Sequence, residues 1–354
     1  MKNAASVVQS AAIIPILANV RMIADGATLD IATSDMDTEY RQAIPLENEA
    51  AMAVTVDAKR LATLANSVPT SATITMAEKD GRLTVTSGRS RWQLPILSPE
   101  DYPIMPPITQ GASIELPGKQ LAEAIRRVEW AVSGDRAQPH LQGICFHSEA
   151  GSLRLAALMT AGASIVTLSD VAFPGDAESA MLPIKCAGIV ASLASGYDGQ
   201  VRLTWDDRKL RADIGDAVIT GKLIDTTFPD YRRMIPDPSK PMVFVPEDVS
   251  AALARLEVVM DKNTRGVRIE REEGRIVLAS ARSGQGAFSE EIPADCTASG
   301  ATGINSEYLS DAIASIGGDS IEMHQTDPGS HKSVIMFRRV VDDGSLVIVM
   351  PLKI

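Results

Sequence analysis

Histidine and carboxylate side chains are the groups of this sequence best suited to bind a metal or to hydrolyse a bond. The run SDMDTEY places Asp35, Asp37 and Glu39 on alternate positions, and alternating carboxylates could ligate a hard cation. On a strand, such alternation more often marks one solvated face. The histidines lack the spacing of a zinc site; they are His140, His147, His324 and His331. The sequence also has no G-x-S-x-G nucleophile motif, so we expect no catalytic residue, no metal site and no cofactor.

A second chemically distinctive stretch is TTFPDYRRMIP, residues 226–236, because it gathers two arginines and two aromatic side chains in a chain that is 4% aromatic. Pro229 favours an extended entry, and the prolines and aspartate are turn formers. The segment SPEDYPIMPP, which contains Tyr102, echoes it earlier in the chain. By itself, residues 226–236 predict a connector between domains with Tyr231 as its anchor.

Length and composition place these segments in an ordinary globular protein. The chain has 354 residues, of which 45% are hydrophobic and 22% charged, and length alone predicts two or three domains. The net charge of −11 argues against indiscriminate binding to nucleic acid, but it allows a local basic surface. Three widely separated cysteines suggest no disulfide framework, and no apolar run is long enough to span a membrane. We therefore expect a cytoplasmic protein.

An internal repeat organises the whole chain. A strand, a glycine turn and a second strand recur with turn residues Gly26, Gly151 and Gly274, spaced by 125 and 123 residues. An amphipathic helix pattern begins at Val56, Leu182 and Ile304, spaced by 126 and 122 residues. Two independent markers thus give one period. Each repeat predicts about two helices packed on one face of antiparallel sheets, an α+β domain, and the domain limits are 1–108, 109–236 and 237–354.

Six short motifs lie on this repeat in a fixed order: PILAN, SGRSRW, LPIK, FPDYRRMIP, RGVRI and VMPLKI. With them the chain resembles the bacterial DNA polymerase III β subunit, the β sliding clamp that keeps the replicative polymerase on DNA. The resemblance implies three similar clamp domains, with helices on an inner face and sheets outside. It also implies a head-to-tail homodimer, a six-domain ring that encircles double-stranded DNA without reading its sequence.

The resemblance also implies functional residues. Those expected to face DNA are Lys59, Arg60, Lys185 and Arg265. The pair Arg126-Arg127 lies on a predicted helix and could add to the same face. Those expected at the dimer interface are Trp92 and Leu94 on one side, and Val258 and Val259 on the other.

In this family, a cleft between the second and third domains binds short peptides of the replicative polymerase subunit, the clamp loader and other proteins. The residues that match its lining are Leu141, Leu158, Thr160, Pro229, Arg233, Met234, Ile348, Met350, Pro351 and Leu352. Methionine, leucine and proline surfaces accept varied apolar side chains, which suits a site with several partners.

Two departures from the family pattern leave alternatives open. Met1 falls within the family's first helix, so we expect a shortened N-terminus without the first strand, either because the start codon was placed too late or because the chain is a divergent paralogue. Ser10 and Ala11 replace a region that tends to be basic. The cleft segment LMTAGASI lacks the family's His-Arg pair; an ungapped register puts Leu158, Thr160 and Ala163 at the lining positions, whereas a two-residue shift keeps Thr160 and Gly162. The alternative function is a clamp-like paralogue that binds clamp partners without acting as the main replicative clamp.

Overall fold

The structure is a computed structural model that describes residues 1–8, 14–46, 51–175, 178–236, 241–260, 263–282, 286–297, 299–327, 330, 332–341 and 343–353. Its helices in these ranges are α1 (Lys2–Val7), α2 (Ala58–Ser67), α3 (Gly118–Glu129), α4 (Ile184–Ala194), α5 (Pro246–Leu256) and α6 (Ser306–Ile316). Short 3-10 helices cover Pro15–Ala18, Pro139–Leu141 and Tyr231–Met234. Every one of these described helices is too short or too polar to cross a membrane.

The strands of the first half are β1 (Asn19–Asp25), β2 (Thr28–Ser34), β3 (Thr38–Pro45), β4 (Met52–Asp57), β5 (Thr75–Lys79), β6 (Arg82–Ser87), β7 (Ser90–Leu97), β8 (Ala112–Pro117), β9 (Gly143–Glu149), β10 (Ser152–Met159), β11 (Gly162–Ala172) and β12 (Ala180–Pro183). Those of the second half are β13 (Gln200–Trp205), β14 (Lys209–Ile214), β15 (Ala217–Lys222), β16 (Met242–Phe244), β17 (Gly266–Glu272), β18 (Arg275–Arg282), β19 (Gly286–Asp295), β20 (Gly300–Asn305), β21 (Ile321–Gln325), β22 (Ile335–Arg339) and β23 (Leu346–Val349).

Local chemistry explains where these elements begin and turn. The three repeat glycines, Gly26, Gly151 and Gly274, have φ angles of +64°, +85° and +76°, so each takes the left-handed conformation that a tight turn requires. The Asp57 carboxylate accepts a hydrogen bond of 2.8 Å from the Arg60 amide and caps α2. The apolar residues of α6 face inward, as the sequence pattern predicts: Leu309, Ile313 and Ile316 are buried.

The chain divides into two compact units. Unit 1 comprises Met1–Ala122 and Lys185–Leu223, and unit 2 comprises Glu123–Ile184 and Ile224–Ile354. Unit 1 holds an eleven-stranded antiparallel sheet in the order β5-β6-β7-β4-β1-β2-β3-β15-β14-β13-β8. Unit 2 holds a twelve-stranded sheet in the order β12-β9-β10-β11-β23-β22-β21-β16-β19-β18-β17-β20. Both counts refer to the described residues.

Each sheet joins strands from two sequence repeats. In unit 1, β3 of the first repeat pairs with β15 of the second, where Tyr40 lies opposite Ile219. In unit 2, β11 of the second repeat pairs with β23 of the third, where Ala163 lies opposite Ile348. The α+β class is confirmed. The limits between repeats stay a prediction, and the limit at 236/237 adjoins residues outside the described ranges.

Candidate functional site

The segment that the sequence singled out forms a 3-10 helix, Tyr231–Met234, pinned to the strands of unit 2 by its tyrosine. Tyr231 is 1% exposed, and its hydroxyl lies 3.1 Å from Nε2 of His147 and accepts a 3.3 Å hydrogen bond from Nη1 of Arg154. The Arg232 guanidinium covers the tyrosine ring at 5.5 Å and pairs with the Glu149 carboxylate. The anchor therefore combines an apolar ring with a polar rim.

The protonation state of His147 follows from its two contacts. Burial lowers the pKa of its imidazole, so the ring is neutral at neutral pH. Its Nδ1 lies 3.0 Å from the Ser148 carbonyl oxygen, which only accepts, so the ring proton sits on Nδ1. Nε2 is then the acceptor for the Tyr231 hydroxyl. Burial also raises the pKa of Tyr231, which keeps that hydroxyl protonated and able to donate.

An apolar cluster lies directly beside this helix. Its buried members are Leu141, Ala156, Leu158, Ala163, Ile165, Tyr231 and Ile348. Phe228, Met234, Ile235, Val334 and Leu346 pack against it while remaining partly exposed. The cluster thus brings together residues from the two cleft motifs, FPDYRRMIP and the chain terminus, and presents a partly exposed apolar edge to solvent.

The C-terminal strand β23 and the residues after it border the cluster beside β11. The Met350 amide donates a 2.8 Å hydrogen bond to the Ala161 carbonyl, and the Leu352 amide donates one of 2.8 Å to the Gly303 carbonyl. Met350, Pro351 and Leu352 are all half-buried. A Cβ on Gly162 would lie 2.3 Å from the Ile348 carbonyl oxygen, so only glycine lets β23 approach β11 this closely. Sequence reasoning gave Gly162 no such role.

The expected lining residues differ in how far they reach solvent. Leu141, Leu158 and Ile348 are buried within the apolar cluster. Pro229 and Met234 are half-buried, whereas Thr160 sits exposed in the turn between β10 and β11. Leu158 and Ala163, the residues that the ungapped alignment put at lining positions, lie opposite each other across that turn. Both belong to the apolar cluster.

A pocket of about 490 Å³ opens where Met234 meets the segment after β21. Its lining residues are Arg233, Met234, Ile235, Pro236, Thr326, Asp327, Ser330, Lys332, Ser333 and Val334. The Arg233 side chain is 86% exposed at the rim. The sequence indicated the first part of this wall but not the part from Thr326 to Val334, which carries no recognisable motif.

The four cations expected to face DNA have different surroundings. Lys59 and Arg60 are exposed on the first turn of α2, where Arg60 lies 3.9 Å from the Asp57 carboxylate. Lys185 donates a 2.6 Å hydrogen bond to the Val7 carbonyl and pairs with the Asp35 carboxylate. Arg265, in a left-handed backbone conformation with φ +47°, pairs with Glu307. Lys185 and Arg265 are therefore already paired with carboxylates of this chain.

Arg126 and Arg127 do not form a pair on one surface. Arg126 is exposed, whereas the Arg127 side chain is 12% exposed and its Nε donates a 2.6 Å hydrogen bond to the Ser315 carbonyl of α6. Burial lowers the pKa of Arg127. Arg127 is a structural joint within unit 2. The predicted change at Ser10 and Ala11 lies outside the described residues.

The acidic run of the first repeat forms contacts within the protein. Asp35 pairs with Lys185, Asp37 lies 3.2 Å from Lys222, and Glu39 hydrogen-bonds the Met105 amide at 2.8 Å. Glu39 is 2% exposed, so the expectation of one solvated face is wrong at this residue. It turns inward because Arg41 and the Met105 amide satisfy its oxygens. No three His, Cys, Asp or Glu side chains among the described residues cluster as metal ligands.

The residues expected at the dimer interface lie on open strand edges or exposed turns. Trp92 and Leu94 are half-buried on β7, whose residues 90–95 pair with β6 on one side only in the described chain. Val258 is 87% exposed just after α5, and Val259 is half-buried beside it. An unpaired strand edge and an exposed valine are each typical of a surface that another chain covers.

Comparisons with known proteins agree along the whole chain. Residues 1–106, 115–230 and 232–353 match the N-terminal, central and C-terminal domains of the DNA polymerase III beta subunit. The beta sliding clamp of Caulobacter vibrioides is 28% identical over 358 residues, covering 99% of this chain and 95% of the relative. That of Escherichia coli K12 is 28% identical over 349 residues, covering 96% and 93%. None of these relatives favours the paralogue alternative.

Solved structures agree in fold. A sliding clamp from Pseudomonas aeruginosa bound to griselimycin superposes with a TM-score of 0.92 at 25% identity, covering 100% of this chain and 96% of that one. A clamp from Bartonella birtlesii bound to the same compound gives a TM-score of 0.93 at 25% identity and the same coverage. With three domain matches in family order, this chain belongs to the DNA polymerase III β-subunit family, the β sliding clamps.

Proposed function

We propose that this sliding clamp acts as a homodimeric ring that encircles double-stranded DNA in the cytoplasm and tethers replication proteins through the cluster beside Tyr231. The observation that carries the proposal is the meeting of the 3-10 helix Tyr231–Met234 with the C-terminal strand around one partly exposed apolar edge. The clamp itself would catalyse no reaction. Its work is to keep its partners close to DNA, where even weak peptides rebind at high effective concentration.

Ring closure would use the open edge of β7. A strand with unpaired backbone groups can accept a strand from a second chain, and β19 offers one, since its residues 286–292 pair with β18 alone in the described chain. Burying Val258 in such an interface would contribute about 1.5–3 kcal/mol. Trp92 and Leu94 would supply the apolar surface on the other side.

Contact with DNA would be electrostatic and independent of sequence. Lys59, Arg60 and Lys185 are exposed, and the first two stand together at the start of α2. The overall charge of −11 would repel DNA from the rest of the surface, so a few basic side chains inside a ring suit sliding better than tight binding. Lys185 and Arg265 would contribute to the extent that phosphate displaces Asp35 and Glu307.

The partner surface would take apolar side chains between Met234, Val334 and Met350, with Pro229, Pro351 and Leu352 extending it. Arg233 and Thr160 would meet polar groups at the rim. The partners proposed are the replicative polymerase subunit, the clamp loader and other proteins that carry clamp-binding peptides. Met234→Ala with Met350→Ala should abolish binding of a polymerase-tail peptide and leave the dimer intact, and unchanged affinity would contradict this assignment.

The decisive experiment for the ring is retention on DNA. The protein is loaded by its own clamp loader onto nicked circular DNA, and the DNA is then cut once. A ring stays bound to the circle and slides off the linear form, and light scattering on the free protein gives twice the chain mass of 37.7 kDa. A monomer, or equal retention on circular and linear DNA, would contradict the proposal.

A further inference from the structure

A chain of buried polar side chains lies behind the pocket of unit 2. Arg271 on β17 is 2% exposed, Gln325 at the end of β21 is 1% exposed, and Thr302 on β20 is 3% exposed. Gln325 directly precedes Thr326, the first pocket residue of the segment after β21. These side chains therefore connect the core of the third repeat to the pocket wall.

Along this series of side chains, each donor faces the acceptor of the next residue. Nη2 of Arg271 donates to Oε1 of Gln325 at 2.9 Å. Nε2 of Gln325 then donates to the Ser333 carbonyl at 2.9 Å and to Oγ1 of Thr302 at 3.2 Å. Because a guanidinium only donates, it requires the amide oxygen of Gln325 to face it. The Arg271 side chain therefore sets which end of the amide meets Ser333.

Burying the guanidinium of Arg271 costs free energy of folding. Its Nε is buried without a hydrogen-bond partner, and burial lowers its pKa. No carboxylate among the described residues pairs with it in the ion pairs of unit 2. A buried charge with so little compensation destabilises a fold by itself, which favours a role beyond core packing.

Ser333 passes this constraint to the pocket. Its hydroxyl accepts a 2.9 Å hydrogen bond from the Asp327 amide, and its own amide donates to the Ser330 carbonyl at 3.1 Å. The next residue, Val334, packs on the apolar cluster and lines the pocket with Met234. The carbonyl held by Gln325 thus belongs to a residue that lines the same pocket as Arg233 and Met234 of the 3-10 helix.

We propose that Arg271 and Gln325 are positioning residues for partner binding: they orient one amide so that it holds the Ser333 carbonyl and fixes the side of the pocket formed by Ser333 and Val334. The inference rests on the proposed function of that cleft. It predicts that peptide affinity depends on the direction of the Gln325 amide and not merely on its presence or size.

The variant Gln325→Glu separates positioning from packing. It keeps the size of the side chain and gives Arg271 a carboxylate partner, yet it removes the N–H that Ser333 accepts and puts an oxygen against that carbonyl. We expect the thermal midpoint to equal or exceed that of the wild type. We expect a fluorescein-labelled peptide copying the C-terminal tail of the replicative polymerase subunit to bind about tenfold more weakly.

Two further variants complete the test. The double variant Arg271→Met with Gln325→Leu removes the buried charge and the amide together; it should fold and show the same loss of affinity, because Ser333 again lacks its donor. Thr302→Val touches the same amide but not Ser333, and its affinity should stay within about twofold of the wild type. Should Gln325→Glu fail to fold, the double variant carries the test alone.

The outcomes distinguish the two levels of the proposal. If the wild type binds the peptide and both variants lacking the Gln325 donor bind equally well, the positioning role is wrong and the cleft stands. If the wild type itself does not bind the peptide, the proposed function of the cleft is wrong, and the positioning role is refuted with it.

Discussion

Residues 98–107 of unit 1 and 226–236 of unit 2 resemble each other in sequence, and each contains a buried tyrosine. Tyr102 is 5% exposed and Tyr231 is 1% exposed. The Tyr102 hydroxyl bonds the main chain, accepting from the Ser34 amide at 2.9 Å and donating to the Asn19 carbonyl at 3.0 Å. Tyr231 instead meets the side chains of His147 and Arg154. The anchor is shared, and its partners differ.

The segments after the two tyrosines differ more. After Tyr102, the main chain of Met105 is held on both sides, since its amide donates to Glu39 at 2.8 Å and its carbonyl accepts from Arg41 at 3.3 Å. After Tyr231, the chain turns into a 3-10 helix that leaves Arg233 exposed and Met234 half-buried. A shared anchor is therefore followed by a main chain held on both sides in unit 1 and by a partly exposed apolar edge in unit 2.

The pockets of the two units reinforce this difference. Unit 1 has a pocket of about 520 Å³ whose lining includes Arg202 and Arg211. Both arginines are already paired, Arg202 with Glu115 and Arg211 with Asp213. The pocket of unit 2 has Met234, Ile235 and Val334 in its lining beside the apolar cluster. An apolar peptide gains more by covering the second, because its apolar side chains leave water when the peptide binds.

The largest expected effect comes from removing each tyrosine. Tyr102→Ala and Tyr231→Ala should each lower the free energy of unfolding by about 3–5 kcal/mol, because both delete a buried aromatic ring. Only Tyr231→Ala should also weaken the binding of the polymerase-tail peptide. Urea unfolding and fluorescence anisotropy measure the two properties. Equal loss of peptide affinity in both variants would show that the two segments are not functionally distinct.

The matched controls remove only the hydroxyl group. Tyr102→Phe and Tyr231→Phe should each cost about 1 kcal/mol, the typical net value of a hydrogen bond. Tyr231→Phe should keep measurable peptide binding, since the ring still holds the 3-10 helix against the cluster.

A middle-sized effect concerns Lys185, which the family motif assigned to DNA and the structure pairs with Asp35. Lys185→Met should lower the stability of the protein by about 1 kcal/mol, because the pair is partly exposed. Lys59→Met with Arg60→Met should leave stability unchanged. The slope of the logarithm of the DNA-binding constant against the logarithm of the salt concentration should become shallower by about one to two. A larger change of slope for Lys185→Met than for the double variant would restore Lys185 as a main DNA contact.

The smallest effect is the response of the second anchor to pH. The folded-state pKa of His147 lies below its ordinary value of 6.5, because burial disfavours the charged ring. Its contribution to stability is therefore complete above about pH 6.5 and is lost as the pH falls towards the lower folded-state pKa. His147→Gln should flatten this part of the pH profile of unfolding, measured between about pH 7.5 and about pH 5.5. A profile unchanged by the substitution would remove His147 from the anchor's energetics.

Sequence patterns predicted the elements whose signals are local. The turn glycines, the α6 face and the α+β class follow from spacing alone. The pairing of β3 with β15 and of β11 with β23 did not, because strands that meet across more than a hundred residues carry no local mark of their partner. Family motifs assigned Met234 and Met350 to one expected cleft. They could not show that Glu39 is buried or that Lys185 is paired with Asp35.

The part of the cleft that sequence missed has a physical explanation as well. The pocket residues between Thr326 and Val334 depend for their place in the wall on Gln325 and Arg271 from the strands behind it. The alternation of β17 puts Arg271 on the same face as Val267 and Ile269, but sequence alone does not show which groups a buried arginine would meet. In sequence, Gly162 is a residue that a two-residue shift would keep from the family's cleft motif. The requirement for glycine becomes visible only in the structure, where β23 approaches β11 too closely for a Cβ atom at residue 162.

Hydrogen–deuterium exchange with and without the polymerase-tail peptide tests the central claim, that the second tyrosine segment is the docking surface and the first is a joint. We expect bound peptide to slow exchange at residues 231–236 and 346–352 and to leave residues 102–107 unchanged. Protection at residues 102–107, or none at either segment when the peptide is saturating, would contradict the claim.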